Sequence, residues 1–273
     1  MRKFFRYIKA LALVLPVVIF NWFRYLKILR HPEKYEFSYK YALARKEILF
    51  FLKQFKVEYH VEGIEKLTKA NETFLIISNH HSLADPLVYI AISERPLSFV
   101  SKESNLKIPF VGQIMRMLDS QCINRDNLMS QARTLKHLSE HLSNNENYPI
   151  LIFIEGTRNR HPENELLEFH PGTLKIAYKA NCSILPCSHY GTFRVFTMKS
   201  YSKTVPITVK VADPIKPSYY LNKNTVDLAG EIRATISNMI QVSRKEDRDL
   251  IYSQKLSTRR KALETIVDLS VNS

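Results

Sequence analysis

The stretch TFLIISNHHSLADPLVYIAISERPLSFVSK, residues 73–102, decides the fold. It opens with TFLIIS (73–78), an apolar run of strand length, the pattern of a strand covered on both faces. A polar loop follows. Pro86 then opens PLVYIAISER (86–95), which reads as a helix with proline at its first position. LSFVSK (97–102) reads as a second strand. Strand, helix and strand in that order predict an α/β layer architecture.

The pattern continues downstream. IPFVGQIMRML (108–118) reads as a helix. NLMSQARTLKHLSEHL (127–142) repeats apolar residues at 128, 132, 135, 138 and 142, a helical stripe, with Asp126 as its expected N-cap. ILIFI (150–154) is a buried strand and GTLKIAYKA (172–180) a helix. SILPCSHY (183–190) and PITVKVADPI (206–215) are strands, and VDLAGEIRATISNMIQ (226–241) is an amphipathic helix. The expected fold class is α/β, a mixed β-sheet flanked by helices. The expected organisation is a basic, apolar N-terminal segment at 1–58, the α/β domain at 59–243, and a charged tail at 244–273 with no assigned role.

Composition narrows the function classes. The chain has 273 residues with 40 Lys and Arg against 26 Asp and Glu, a net charge of +14, and 45% hydrophobic residues. That supports a packed core and excludes global disorder. Its 3 cysteines, at 122, 182 and 187, form neither a disulfide framework nor a zinc-binding spacing, which points to a reducing compartment. Positive charge gathers in residues 1–50, around ALALVLPVVIF (10–20) and Trp22. Basic groups flanking an apolar run with a tryptophan at its edge suit a lipid interface better than a nucleic-acid groove. The run is short of the ~20 residues a spanning helix needs. A helix lying in one leaflet, or a re-entrant one, is therefore expected. A cleaved signal peptide is the alternative, but FNWFRYLKI offers no small-residue cleavage site. A core helix with a basic cap is the other.

Two loops after strands carry the residue types of a reactive site. In Asn79-His80-His81-Ser82-Leu83-Ala84-Asp85-Pro86 a turn from strand to helix can bring His80 onto Asp85. An aspartate so placed fixes the imidazole tautomer and frees the other ring nitrogen as a general base. His81 competes for the role, but the residue five positions on from it is Pro86. Asp85 before Pro86 also fits an ordinary helix cap. In Phe153-Ile154-Glu155-Gly156-Thr157-Arg158, Gly156 lets backbone approach an anion, while Thr157 and Arg158 are phosphate ligands by type. Glu155 could orient Arg158 or receive a substrate hydroxyl. A tight turn with an exposed arginine is the plainer reading. A third block, Lys102 to Gly112 through Pro109, with Ile123-Asn124-Arg125 after it, brackets an apolar helix start with cations. Ile184-Leu185-Pro186-Cys187 is an apolar strand.

Together and in this order, the four blocks resemble the 1-acyl-sn-glycerol-3-phosphate acyltransferase family, one of the glycerolipid acyltransferases. Its blocks are Asn-His-x4-Asp, Lys…Pro-x-x-Gly…Ile-x-Arg, Phe-Pro-Glu-Gly-Thr-Arg and a Val-Pro-Ile-like strand. The match runs over about residues 60–215. Ile154 stands where the family has proline, and Asn124 where aspartate is frequent. The resemblance implies transfer of a fatty acyl group from an acyl thioester to the sn-2 hydroxyl of 1-acyl-glycerol 3-phosphate (lysophosphatidic acid), giving phosphatidic acid. By the same resemblance His80 is the general base and Asp85 its orienting partner. Glu155, Gly156, Thr157 and Arg158 bind the acceptor, Arg125 makes a second phosphate contact, and Lys102 is a further candidate. Neither cofactor nor metal is expected. The expected partners are a phospholipid membrane, lysophosphatidic acid, and acyl carrier protein or coenzyme A as thioester, at the cytoplasmic face; nucleic acid is not one. The same chemistry on glycerol 3-phosphate or another lysophospholipid is the alternative, and a non-catalytic membrane-binding protein the more distant one.

Overall fold

A computed structural model describes residues 2–68, 72–123, 127–144, 148–163, 165–196 and 204–271. Seven strands form one sheet: β1 (Val57–Glu62), β2 (Phe74–Ser78), β3 (Ser98–Lys102), β4 (Gln121–Ile123), β5 (Ile150–Phe153), β6 (Ser183–Tyr190) and β7 (Val205–Val211). The helices are α1 (Arg2–Arg30), α2 (Phe37–Gln54), α3 (Glu65–Thr68), α4 (Asp85–Ile92), α5 (Val111–Met117), α6 (Leu128–Leu142), α7 (Lys175–Ala180), α8 (Pro217–Tyr220) and α9 (Thr225–Val271).

The strand order is β1-β7-β6-β2-β5-β3-β4. Every pairing is parallel except β6 with β7. The sheet is therefore mixed, with β7 and β1 running against the other strands. β2 lies at its centre, between β6 and β5, and is buried throughout. Its side chains alternate between two cores. Phe74 and Ile76 join the one beneath α2, α4 and α5, while Leu75 and Ile77 join the one beneath α6, α7 and α9. Cover on both faces is why TFLIIS has no polar alternation.

Register carries the site. Ser78 pairs with Phe153 of β5 and with Cys187 of β6. Two positions further along each chain stand His80, Glu155 and His189, side by side beyond the carboxyl end of β2. Ligand sites of open α/β sheets form at such strand ends.

Four boundaries depart from the expectations. The helix expected from Ile108 begins at Val111, after a 3-10 turn at Glu103–Lys107. Gly112 explains the Pro-x-x-Gly pattern there, because a Cβ at Gly112 would stand 2.1 Å from the Leu106 carbonyl oxygen. Asp126 lies outside the described residues, and α6 is capped by Asn127, whose side chain accepts from the Ser130 N–H at 3.0 Å. The N-terminal segment does not end as a unit at 58. Tyr41, Ala44, Ile48 and Leu52 of α2 are buried in the α/β core. Residues from 244 onward continue α9 without a break, since no proline or glycine follows Gly230 to interrupt it. The start of that stretch is packed: Asp247 meets Arg194 at 2.6 Å, and Glu246 meets Lys210 at 2.9 Å.

In α1, Tyr25 and Ile28 are buried against the core, and the Tyr25 hydroxyl bonds Glu47 of α2. Upstream, Leu15, Ile19, Phe20 and Phe23 are exposed. No helix among the described residues is long and apolar enough to cross a membrane.

Candidate active site

Asp85 is the fixed point. It starts α4, is fully buried, and its Oδ2 accepts backbone N–H bonds from His81 (2.7 Å) and Ser82 (2.9 Å). The loop therefore wraps around its own carboxylate. His80 Nδ1 makes a further bond to Oδ2 at 2.7 Å. Burial pushes the Asp85 carboxyl up, but the attraction of His189 and His80 outweighs it and holds Asp85 well below the usual carboxylate range. An ionised Asp85 makes Nδ1 the protonated nitrogen of a neutral His80 ring. Nε2 is left with its lone pair for a substrate proton.

His80 is the part of this pair that solvent reaches, its side chain 19% exposed against 0% for Asp85. Its ring stacks on Phe153, with centroids 4.3 Å apart and planes inclined by 11°. Phe153 ends β5 on the face toward α4, and it fixes the ring plane while Asp85 fixes the ring edge. His80 and His81 differ in surroundings. His81 is buried, and burial followed by the neighbouring His189 pushes it down to about 3, so its ring is uncharged at neutral pH.

Glu155 differs in place from the expectation that it faces the acceptor. It is 2% exposed. Its Oε1 accepts the His80 N–H at 2.6 Å, and its Oε2 accepts the Leu167 N–H at 2.9 Å. Both oxygens are engaged by backbone, so Glu155 ties the His80 loop to the 165–168 segment. Burial raises its carboxyl above the usual range, against the pull of those two N–H groups. Gly156 takes φ +65°, and its N–H returns to the Phe153 carbonyl at 3.0 Å, forming the tight turn after β5. Thr157 and Arg158 emerge exposed from that turn, as Lys102 does from β3, and the described residues offer these three side chains no hydrogen-bond or ion-pair partner. Arg125 lies outside the described residues. Ile154, where the family pattern has proline, donates its N–H to the Ser78 carbonyl at 3.2 Å, a bond proline could not make.

Sequence reasoning missed three contributors. Asn159 is buried and donates its N–H to the His80 carbonyl at 2.7 Å. Asn79 clamps β6, its Oδ1 accepting the His189 N–H and its Nδ2 donating to the His189 carbonyl, both at 3.0 Å. His189 itself sits at the end of a strand that reads as apolar, and only its distance from Asp85, 3.1 Å from Nε2 to Oδ2, marks it. The register past Ser78 was the one signal that could have found it. No group of three or more metal-ligating side chains occurs among the described residues. Two surface hollows, beside α2 and along β1, include none of the site residues.

The sequence model of the acyltransferase family matches residues 58–190, the span that holds every group just described. A probable 1-acyl-sn-glycerol-3-phosphate acyltransferase of Mycoplasma genitalium is 28% identical over 254 residues, 86% of this chain and 91% of that protein. The 1-acyl-sn-glycerol-3-phosphate acyltransferase of Borreliella burgdorferi is 34% identical over 140 residues, 50% of this chain and 52% of that protein. Among solved structures, the 1-acyl-sn-glycerophosphate (LPA) acyltransferase PlsC of Thermotoga maritima shares the fold. The TM-score is 0.64 at 23% identity, over 88% of this chain and 98% of that one. The buried carboxylate and the partly exposed imidazole thus lie in a stretch, residues 58–190, that matches the acyltransferase family, and the chain is similar to 1-acyl-sn-glycerol-3-phosphate acyltransferases.

Proposed function

We propose that the protein transfers a fatty acyl group from an acyl thioester to the sn-2 hydroxyl of lysophosphatidic acid, giving phosphatidic acid. The observation that carries the reading is the bond of His80 Nδ1 to a buried, ionised Asp85, which leaves Nε2 of this partly exposed ring as the basic nitrogen. His80 Nε2 takes the hydroxyl proton as the oxygen attacks the thioester carbonyl carbon. The new C–O bond forms, the tetrahedral intermediate collapses with cleavage of the C–S bond, and the imidazolium returns its proton to the departing thiolate. Asp85 stabilises the imidazolium between these steps. No metal and no cofactor enters this scheme; the acyl thioester is a substrate.

Arg158 and Lys102, exposed cations in the two blocks that follow the His80 block along the chain, would hold the acceptor phosphate. Thr157 adds a hydroxyl and Gly156 a close backbone approach, and Arg125 is a further candidate cation. The acyl donor would be acyl carrier protein or coenzyme A thioester, both acidic and suited to a chain of net charge +14. The exposed Leu15, Ile19, Phe20 and Phe23 of α1, flanked by Arg24 and Lys27, support docking on the cytoplasmic face of an anionic membrane by one leaflet.

Product analysis tests the reading. Lysophosphatidic acid, glycerol 3-phosphate and a lysophosphatidylcholine are offered in turn with each acyl thioester. Phosphatidic acid from the first acceptor is the expected product. Preference for another acceptor would reassign the substrate, and no acyl transfer to any would remove the enzymatic reading. Sedimentation with anionic and neutral vesicles tests the membrane placement. Equal binding to both, or none, would contradict it.

A further inference from the structure

His189 has no part in the scheme above, yet it stands in the same buried network. Its Nδ1 lies 3.2 Å from Ser78 Oγ, and Ser78 Oγ lies 2.7 Å from the Tyr89 hydroxyl. Its Nε2 lies 3.1 Å from Asp85 Oδ2, the oxygen that also receives His80. Tyr89, Ser78, His189 and Asp85 are all at 0% exposure.

The hydrogen-bond directions follow from what each atom can do. Burial, foremost, holds the Tyr89 hydroxyl well above its ordinary range, so it remains an O–H. Buried O–H groups seek an acceptor, and the acceptor within reach of Tyr89 is Ser78 Oγ. Ser78 must then donate onward. Asn79 Oδ1 is 3.5 Å away and already accepts the His189 N–H at 3.0 Å, so the nearer His189 Nδ1 is the acceptor. With Nδ1 accepting, the ring proton sits on Nε2, the nitrogen beside Asp85. Nε2 lies 3.1 Å from Oδ2, and among the described residues Asp85 Oδ1 has no hydrogen-bond partner. The protonated Nε2 thus stands 3.1 Å from the oxygen of an ionised, fully buried carboxylate, close enough to support its charge.

We propose that His189 is a positioning residue of the acyl-transfer site: Tyr89 and Ser78 fix its tautomer, and its Nε2–H supports the Asp85 carboxylate that orients His80. The inference rests on the acyl-transfer reading. It predicts that His189 draws part of the Asp85 charge away from His80. Removing it leaves that charge to His80 alone. Of the other ionisable neighbours, His81 lies at about 3, burial keeps Cys187 protonated, and Arg244 carries a fixed charge; Glu155, raised by burial, is present in wild type and variant alike, so its titration cancels in the comparison.

The first test needs no turnover. Nitrogen-15 NMR of the ring in wild-type protein reports the tautomer directly. An Nε2–H tautomer is expected, and an Nδ1–H tautomer would overturn the proposal. The second compares His189→Leu with His189→Gln, whose amide can restore a donor. In His189→Leu kcat/KM falls about 10- to 100-fold, because the Asp85 carboxylate loses one of the groups that hold it in place against His80, and that misplacement outweighs the charge it returns. The acid limb of its pH profile also moves upward. His189→Gln recovers most of both. An unmoved limb in folded His189→Leu, or equal losses in the two variants, would leave His189 a packing residue. Ser78→Ala, which removes the tautomer-setting donor, is expected to lose the Nε2–H preference, and retention of it would refute the relay even if His189→Leu does not fold. Absence of acyl transfer by wild type would sink the functional reading while leaving the tautomer result standing.

Discussion

Replacing Asp85 by asparagine keeps the side chain's shape and removes its charge. The His81 and Ser82 N–H groups, at 2.7 and 2.9 Å from Oδ2, demand an acceptor there, so the amide oxygen must take that place. It then still accepts from His80 Nδ1, and the tautomer of His80 survives. What disappears is the attraction between carboxylate and imidazolium. For charge centres about 4 Å apart at an effective dielectric of about 20, this is about 4 kcal/mol. It acts in the transition state, where the imidazolium forms, and so lowers kcat by about 1,000-fold with KM little changed. The assay is acyl transfer from thioester to lysophosphatidic acid at saturating substrates, with thermal melting to establish that the variant folds. A folded Asp85→Asn protein with kcat within about tenfold of wild type would refute the reasoning, because a charge so close to a true base cannot be removed at that cost.

Three further outcomes follow from individual contacts. Glu155→Gln can serve one of the two backbone N–H groups and must turn its amide N–H toward the other. It is expected to lower stability by about 1–3 kcal/mol and activity with it, and an unchanged melting temperature would contradict the bracket role. His81 is neutral in the fold down to about pH 3 but takes a proton near 6.5 when unfolded. Below that value the unfolded chain binds the extra proton, so stability is retained above it and lost on acidification, by up to about 1.4 kcal/mol per unit. Urea midpoints between about pH 7 and pH 5 should fall more steeply for wild type than for His81→Phe, and parallel trends would remove His81 as the cause. Gly112→Ala brings a Cβ to 2.1 Å from the Leu106 carbonyl oxygen and should cost about 1–3 kcal/mol in melting experiments; a neutral effect would show that the turn yields freely.

Much of the α/β pattern was legible because strands covered on both faces leave continuous apolar runs. TFLIIS, ILIFI and SILPCSHY all lie on strands, and the last matches β6 end to end. β1 was not read, although VEYHVE alternates, because it is an edge strand only half buried. The extent of α9 was missed for another reason. Charge in a sequence says that a segment is solvated, not whether it is helical, and Arg194 and Lys210, far away in sequence, pair with its Asp247 and Glu246. At the site, His80 and Asp85 were legible because a turn of five residues is local chemistry. Glu155, Asn159 and His189 depend on which strands lie beside β2, and that order is a property of the folded sheet.

The central claim is that His80 is the base for acyl transfer to a phosphate-bearing acceptor. Formation of phosphatidic acid from lysophosphatidic acid and acyl thioester, by wild type beside His80→Ala in anionic vesicles, tests it most directly. The account predicts product from wild type and a loss of at least about 1,000-fold in a folded His80→Ala protein. Turnover by His80→Ala at the wild-type rate would contradict it.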